Sequence, residues 1–88
     1  MSYPDTAELW RSNGQKEDVM PANGATWELE ELQEYVGGLI EVVPIKDGQM
    51  IVNEEGLLEG LSHNVSASLV AHRQIVGDVV LSPEGMLT

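Results

Sequence analysis

The sequence contains no cysteine, so neither a disulfide framework nor a thiolate metal site can form. Small secreted domains normally depend on such cross-links, which favours the cytoplasm as the location. No stretch approaches the roughly 20 apolar residues of a membrane span. Residues 1–5 also lack a basic segment followed by an apolar run, so the sequence predicts no signal peptide.

Basic residues are scarce: Arg11, Lys16, Lys46 and Arg73 face 15 acidic residues, and the net charge is −11. Binding to phosphate backbones or to anionic membranes requires many Lys and Arg side chains. We therefore expect no direct contact with nucleic acid or membrane. The acidity either keeps a small protein soluble or engages a basic partner.

With 88 residues the chain is long enough for one domain. Near the N-terminus, Asn13-Gly14 predicts a hairpin turn between two short strands, because both residues tolerate positive φ. Residues 26–36 predict the clearest helix, with Thr26 as the cap and apolar residues at helical spacing. Gly37-Gly38 is expected to end this helix.

Residues 39–45 are rich in β-branched side chains and predict a strand, and Pro44 favours an edge position for it. The Asp47-Gly48 pair predicts a turn into a returning strand over residues 50–52. Residues 53–56, Asn-Glu-Glu-Gly, predict a second turn, in which the Asn53 side chain bonds the backbone two residues on.

Ser62 or Asn64 is expected to cap a second helix that runs to about residue 72. Val65 and Leu69 are expected on one face, with Ala67 and Ala71 helping the helix to pack closely. Residues 75–81 predict the last strand, interrupted by a bulge or a close approach at Gly77. The fold class is therefore α+β: a single domain with a mixed or antiparallel sheet of about five strands. The order is strand, strand, helix, strand, strand, helix, strand, and both helices are expected to cover one face.

Three segments together resemble a known family: LEELQEYVGGLIEVVPI (residues 29–45), IVNEEGLLEGLSHNVSA (residues 51–67) and IVGDVVL (residues 75–81). They are similar to a family of bacterial and phage proteins called domain of unknown function 3846. The resemblance covers residues 26–81, so residues 26–88 read as the core and residues 1–25 as a poorly matched N-terminal hairpin of the same domain. It implies a phage or mobile-element setting and a host-cell cytoplasmic location, and it implies no activity.

Acidic side chains are the strongest candidates for a recognition surface, together with Trp10, a large amphipathic ring that could mark an interface. Trp27, at the start of the first helix, is instead expected in the core. Such an acidic cluster either is a solvated helix face or meets a basic groove. The candidate binding residues are Glu28, Glu30, Glu31, Glu34, Glu54, Glu55 and Trp10.

No residue pattern predicts catalysis, a metal site or a cofactor. His63 and His72 are the only histidines, and neither stands in a recognisable triad pattern. Glu54 and Glu55 could coordinate a cation, but a calcium loop needs more oxygen ligands at fixed spacing. An acidic turn fixed by Asn53 and Gly56 explains this stretch more simply.

These observations predict a non-enzymatic, phage-encoded binding protein that contacts a host protein through an acidic surface, in the manner of a DNA-mimic inhibitor. The alternative is an oligomer that sequesters a nucleotide-like small molecule. In that case backbone amides would approach phosphates at Gly37, Gly38, Gly56, Gly60 and Gly77. Both hypotheses are compatible with a homodimer.

Overall fold

In the computed structural model, residues 7–46, 48–83 and 86 are described. They form one five-stranded sheet with the strand order β2-β1-β5-β4-β3, in which every neighbouring pair is antiparallel. The predicted α+β class and the element order are confirmed. The elements are β1 Ala7–Trp10, β2 Lys16–Val19, α1 Leu29–Val36, β3 Ile40–Ile45, β4 Gly48–Asn53, α2 Val65–Ala71 and β5 Val79–Ser82.

Both hairpins form where the sequence placed them. In the first turn the Asn13 Oδ1 atom accepts a hydrogen bond from the Gln15 N–H at 2.9 Å, and Gly14 has a φ of 95°. In the second hairpin Ile45 pairs with Gly48. The predicted Asp47-Gly48 turn includes Asp47, which lies outside the described residues. As Pro44 indicated, β3 is an edge strand.

The two helices lie on opposite faces of the sheet, so the expectation that both cover one face is wrong. Leu32 and Val36 of α1 pack in one cluster, with the strand residues Leu9, Ile51 and Val80. Ala67 of α2 packs in a second cluster, with Val43, Met50, Val52 and Val79. Successive strand side chains point to opposite faces, and here each face has its own helix.

The helix α1 begins later than the sequence predicted. Its N-cap is Glu28 rather than Thr26, and the Glu28 N–H donates to Glu31 Oε1 at 3.3 Å. This bond satisfies a backbone donor that the helix itself leaves unpaired. Trp27 precedes the cap and is buried as predicted. Its ring packs edge-on against the ring of Tyr35, with the two ring centroids 5.9 Å apart, and its Nε1 atom donates a hydrogen bond to Ser82 Oγ.

The helix α2 is capped by Asn64, one of the two predicted candidates. Asn64 Oδ1 accepts from the Ala67 N–H at 3.1 Å, while Nδ2 donates to the carbonyls of Trp10 and Gly77. The packing of α2 differs in part from the prediction: Ala67 is fully buried as expected, whereas Val65 and Leu69 are 60% and 72% exposed. Small side chains therefore let α2 approach the sheet closely.

The last strand begins at Val79, later than the predicted residue 75. The chain before Val79 contacts the loop before α2 instead of continuing the strand. Val76 forms an isolated bridge with His63, and Gly77 has a φ of 78° and donates its N–H to Ser62 O. A Cβ atom on Gly77 would lie 2.8 Å from Leu61 Cδ1, so the predicted close approach is confirmed. These contacts fasten the loop before α2 to the start of β5.

Candidate functional site

The exposed side of α1 carries the first group of candidate acidic residues. Glu28, Glu30 and Glu34 are all exposed. Glu30 and Glu34 are four residues apart, so they lie one above the other, about 6 Å apart along the helix axis. The first turn contains two acidic residues and the last turn contains no basic one. This side of α1 is therefore negative along its whole length.

Glu31 belongs to the same helix but has a structural role. It is only half-exposed, and its carboxylate accepts hydrogen bonds from the backbone N–H groups of Glu28 and Ala22. The Ala22 bond measures 2.9 Å and holds the preceding turn against the helix N-terminus. The carboxylate of Glu31 is thus already engaged, and the Glu28 side chain takes part in the same capping box by accepting from the Glu31 backbone.

The turn after β4 carries the second group. Asn53 Oδ1 accepts from the Glu55 N–H at 2.8 Å, and Gly56 N–H donates to Asn53 O, which confirms the predicted Asn-Gly turn. Glycine is required here because a Cβ atom on Gly56 would lie 2.7 Å from Val76 Cγ2. The rigid turn leaves the side chains of Glu54 and Glu55 exposed.

Asn53 joins this turn to α1. Its side chain is buried, and Nδ2 donates both to Val36 O at the end of α1 and to Glu59 Oε1, at 3.1 Å each. The carboxylate of Glu59 is thereby held beside the helix C-terminus, which itself carries partial negative charge. The bond to Val36 thus links the turn after β4 to the C-terminal end of α1, which is the end away from Glu28 and Glu30. Sequence reasoning assigned Asn53 only to the turn and missed this link.

We define the acidic surface by its five exposed members, Glu28, Glu30, Glu34, Glu54 and Glu55. Within residues 7–46, 48–83 and 86, the ion pairs lie elsewhere: Arg11 with Glu17 and Asp78, and Arg73 with Glu41. Lys16 lies over the Trp10 ring, with Nζ 4.0 Å from the ring centroid. The acidic surface is consequently not neutralised by the basic side chains that are described.

Trp10 does not join the acidic surface. Its ring packs against the cluster on the α2 face, on the other side of the sheet from α1. Its Nε1 atom donates to Glu8 Oε1 at 3.0 Å, and Lys16 covers the ring. Trp10 is therefore separated from the predicted binding residues on α1 by the sheet. Its ring already contacts side chains of its own chain.

A cavity of about 310 Å³ lies at the end of the sheet, beside the turn after β4. Its lining contains Arg73 and Gly56, but also the carboxylates of Glu41, Glu54 and Glu55. Three carboxylates against one guanidinium make the lining net negative, and Arg73 already contacts Glu41 at 3.5 Å. This composition disfavours a phosphate-bearing ligand.

The two histidines are exposed and lie apart from this surface. His63 Nε2 is 3.1 Å from Ser68 Oγ, while Ser68 Oγ also donates to Asn64 O and accepts from the Ile75 N–H. Ser68 therefore fastens Ile75, in the segment that leads to β5, to α2. His72 ends α2 with a φ of 57°. Among the described residues, no three His, Asp or Glu side chains are grouped as a metal ion would require.

The fold defines a small antiparallel α+β domain with a helix on each face of the sheet and exposed acidic side chains on α1 and on the turn after β4. The chain belongs to the family described as Domain of unknown function (DUF3846), whose model matches residues 14–85. The match contains all of residues 26–81, where the resemblance was found, and also includes β2. No curated protein and no solved structure matches the chain. Within the described residues, no helix is long and apolar enough to cross a membrane.

Proposed function

We propose that this protein is a non-enzymatic binding protein whose acidic surface docks onto a basic surface of a partner protein, with a phage-encoded role against a host protein as the setting. The observation that supports this most directly is the set of five exposed carboxylates without a cationic partner among the described residues. Such a surface attracts a positive patch over about a Debye length and speeds association.

The density of charge favours a local basic patch on the partner over a complete DNA-binding groove. Double-stranded DNA carries one charge per roughly 1.7 Å, so 33 Å of duplex would carry about 19 charges. The molecule is 33 Å in its longest dimension and has a net charge of −11 over its whole surface. It thus reproduces about half of the charge of DNA at best, and we propose a partial mimic at most.

The alternative function, sequestration of a nucleotide-like ligand, has weaker support. The cavity beside Arg73 has a volume at the lower end of the range for ligand sites. Its net negative lining opposes phosphate. Gly56 lines the cavity, but its N–H is already bonded to Asn53 O. We therefore place the acidic surface first.

The test compares two variants with the same change in net charge. Glu30→Gln/Glu34→Gln removes two charges from the acidic surface, and Glu17→Gln/Asp18→Asn removes two exposed charges from β2. Wild-type protein captures the partner from host lysate at low salt, mass spectrometry identifies it, and affinities are measured with the purified partner. Exposed ion pairs contribute about 0.2–1 kcal/mol each, so the α1 variant should bind about 2- to 30-fold more weakly.

The control variant should bind like the wild type, and salt should weaken binding of the wild type more than that of the α1 variant. Equal losses in both variants would show that net charge alone acts, without a defined surface. Binding that is insensitive to salt and to both variants would refute the proposal.

A further inference from the structure

The cavity beside the turn after β4 has apolar walls as well as charged ones. Leu57 and Leu58 line it, and they are 67% and 86% exposed. Ile75 and Val76 line it too and are buried. A single exposed leucine on a surface is ordinary, but apolar side chains that border a concave site are typical of a binding surface.

Two carboxylates at the cavity carry a charge that no described basic side chain offsets. Glu41 and Arg73 contact each other at 3.5 Å, so their charges offset one another. Glu54 and Glu55 line the same cavity, and the ion pairs within the described residues include neither of them. The site therefore combines net negative charge with uncovered apolar surface.

The backbone that carries these side chains is held in place by its own hydrogen bonds. The Glu59 N–H donates to Glu55 O at 2.9 Å, and the Leu61 N–H donates to Gly56 O at 3.0 Å. Gly56 also packs against Val76, where a Cβ atom would lie only 2.7 Å from Cγ2. A site whose backbone is already ordered loses less entropy when it binds.

We propose that this cavity receives the side chain of one arginine of the partner protein, an inference that deepens the proposed function and rests on it. An arginine side chain has an aliphatic stem that packs on apolar surface and a charged head that stays among polar groups. Leu57 and Leu58 would contact the stem, and Glu54 and Glu55 the guanidinium. A guanidinium is more weakly hydrated than an ammonium group and pairs with a carboxylate through two parallel hydrogen bonds, which favours arginine over lysine.

Size and position favour the same occupant. The volume of about 310 Å³ is at the lower end of the range for ligand sites, which suits one side chain better than a large cofactor. Arginine is enriched among the few interface residues that carry most of the binding energy. Because Glu54 and Glu55 belong both to the acidic surface and to the cavity, this arginine would come from the basic patch that the acidic surface attracts.

An NMR titration of the full chain with acetyl-arginine amide gives the first test. This probe has about 15 non-hydrogen atoms, which corresponds to a dissociation constant of about 1 mM at an ordinary ligand efficiency. The backbone amide signals of residues 54–58 and 75–76 should shift saturably. Acetyl-citrulline amide, which has nearly the same shape without the charge, should cause no saturable shift, and acetyl-lysine amide should bind more weakly than the arginine probe.

The absence of a saturable shift with the arginine probe would overturn the proposal. Equal binding of the citrulline probe would overturn it as well, because the carboxylates would then have no part in recognition. Equal binding of the lysine probe would overturn the assignment to arginine.

Matched variants test the apolar wall. Leu58→Ser changes a leucine of the cavity, and Leu69→Ser changes a leucine of α2 that is 72% exposed and does not line the cavity. The first should weaken probe binding about 4-fold for each methylene group lost from the contact, and the second should leave it unchanged. Equal effects of the two variants would contradict the proposal.

A second pair of variants tests the charge. Glu54→Gln/Glu55→Gln and Glu30→Gln/Glu34→Gln remove the same charge, at the cavity and away from it. The cavity variant should bind the probe about 2- to 30-fold more weakly, and the α1 variant should bind it like the wild type. Equal losses would show that net charge alone attracts the probe.

The purified partner distinguishes this inference from the proposed function. A partner whose affinity falls with Glu30→Gln/Glu34→Gln but not with Leu58→Ser would dock on the acidic surface without an arginine in the cavity. A partner whose affinity falls with Leu58→Ser but not with Glu30→Gln/Glu34→Gln would use the cavity without the helix face. Either proposal can therefore fail while the other stands.

Discussion

At the scale of single residues, Asn64 joins three parts of the fold that are distant in sequence. It is 1% exposed, and its side chain contacts the backbone of β1, of α2 and of the segment before β5. Replacing it leaves buried carbonyl groups without a donor, which costs more than the bonds themselves contribute. Its importance therefore exceeds that of an ordinary helix cap.

We expect Asn64→Ala to lower the free energy of unfolding by about 2–4 kcal/mol, through the lost cap and the unsatisfied carbonyls. Urea denaturation measures this change. Asn13→Ala is the matched control, because Asn13 makes the same type of side-chain bond in an exposed turn, and it should cost less than about 1 kcal/mol. Similar losses in both variants would contradict the role assigned to Asn64.

Residue-level features were predictable where the chemistry is local. The Asn13-Gly14 turn, the Asn53 turn and the Asn64 cap follow from side chains that bond their own neighbours. The two hydrogen bonds from Asn53 Nδ2 to Val36 O and Glu59 Oε1 were not predictable, because they join the turn to a helix that precedes it by two strands. The engagement of Glu31 was likewise hidden, since Glu28 is an unusual N-cap residue.

At the scale of elements, α1 ends at Gly37 in the left-handed conformation, with a φ of 84°. Its N–H donates to Gln33 O, and a Cβ atom there would meet nothing within 4 Å. A side chain at this position would therefore be strained by the left-handed backbone conformation and not by contacts with neighbouring atoms.

Gly37→Ala should destabilise the protein by about 1–2 kcal/mol, the cost of a left-handed conformation for a residue with a Cβ atom. Thermal and urea denaturation report the loss. Gln33→Ala, within the same helix, should be near neutral because alanine has the best helix propensity. An equal stability for Gly37→Ala and wild type would show that the helix can end without the left-handed residue.

The faces covered by the helices were not predictable from each helix alone. Amphipathicity indicates which side of a helix is buried, but it does not indicate which face of the sheet the helix packs against. That face depends on strand order, which is set by pairs such as Leu9 with Val80. One signal was present in the sequence. Met50, Ile51 and Val52 form a continuous apolar run, and all three are buried. Such a run is typical of a strand that is covered on both faces.

At the scale of the whole molecule, a net charge of −11 on 88 residues opposes the compact state. Raising sodium chloride from 0.1 to 1 M shortens the Debye length from about 10 Å to about 3 Å. We expect Tm to rise by several degrees, since 1 kcal/mol corresponds to about 4–8 °C for a domain of this size.

Differential scanning calorimetry checks this expectation. Glu30→Gln/Glu34→Gln should have a higher Tm than the wild type at low salt and a smaller response to added salt, because part of the repulsion is already removed. A Tm that falls or stays constant as salt is added would show that the surface charges are too far apart to matter for stability.

The position of β5 in the sheet bears on how the chain is made. This strand is inserted between β1 and β4 and is the last of the five in chain order. During synthesis on the ribosome, the two hairpins emerge first and have no shared neighbour to join them. Because chains leave the ribosome at about 5–20 residues per second, the apolar faces of these hairpins stay uncovered for seconds before residue 82 is free. The nascent chain is therefore most open to chaperones, proteases and neighbouring chains in the interval before β5 emerges.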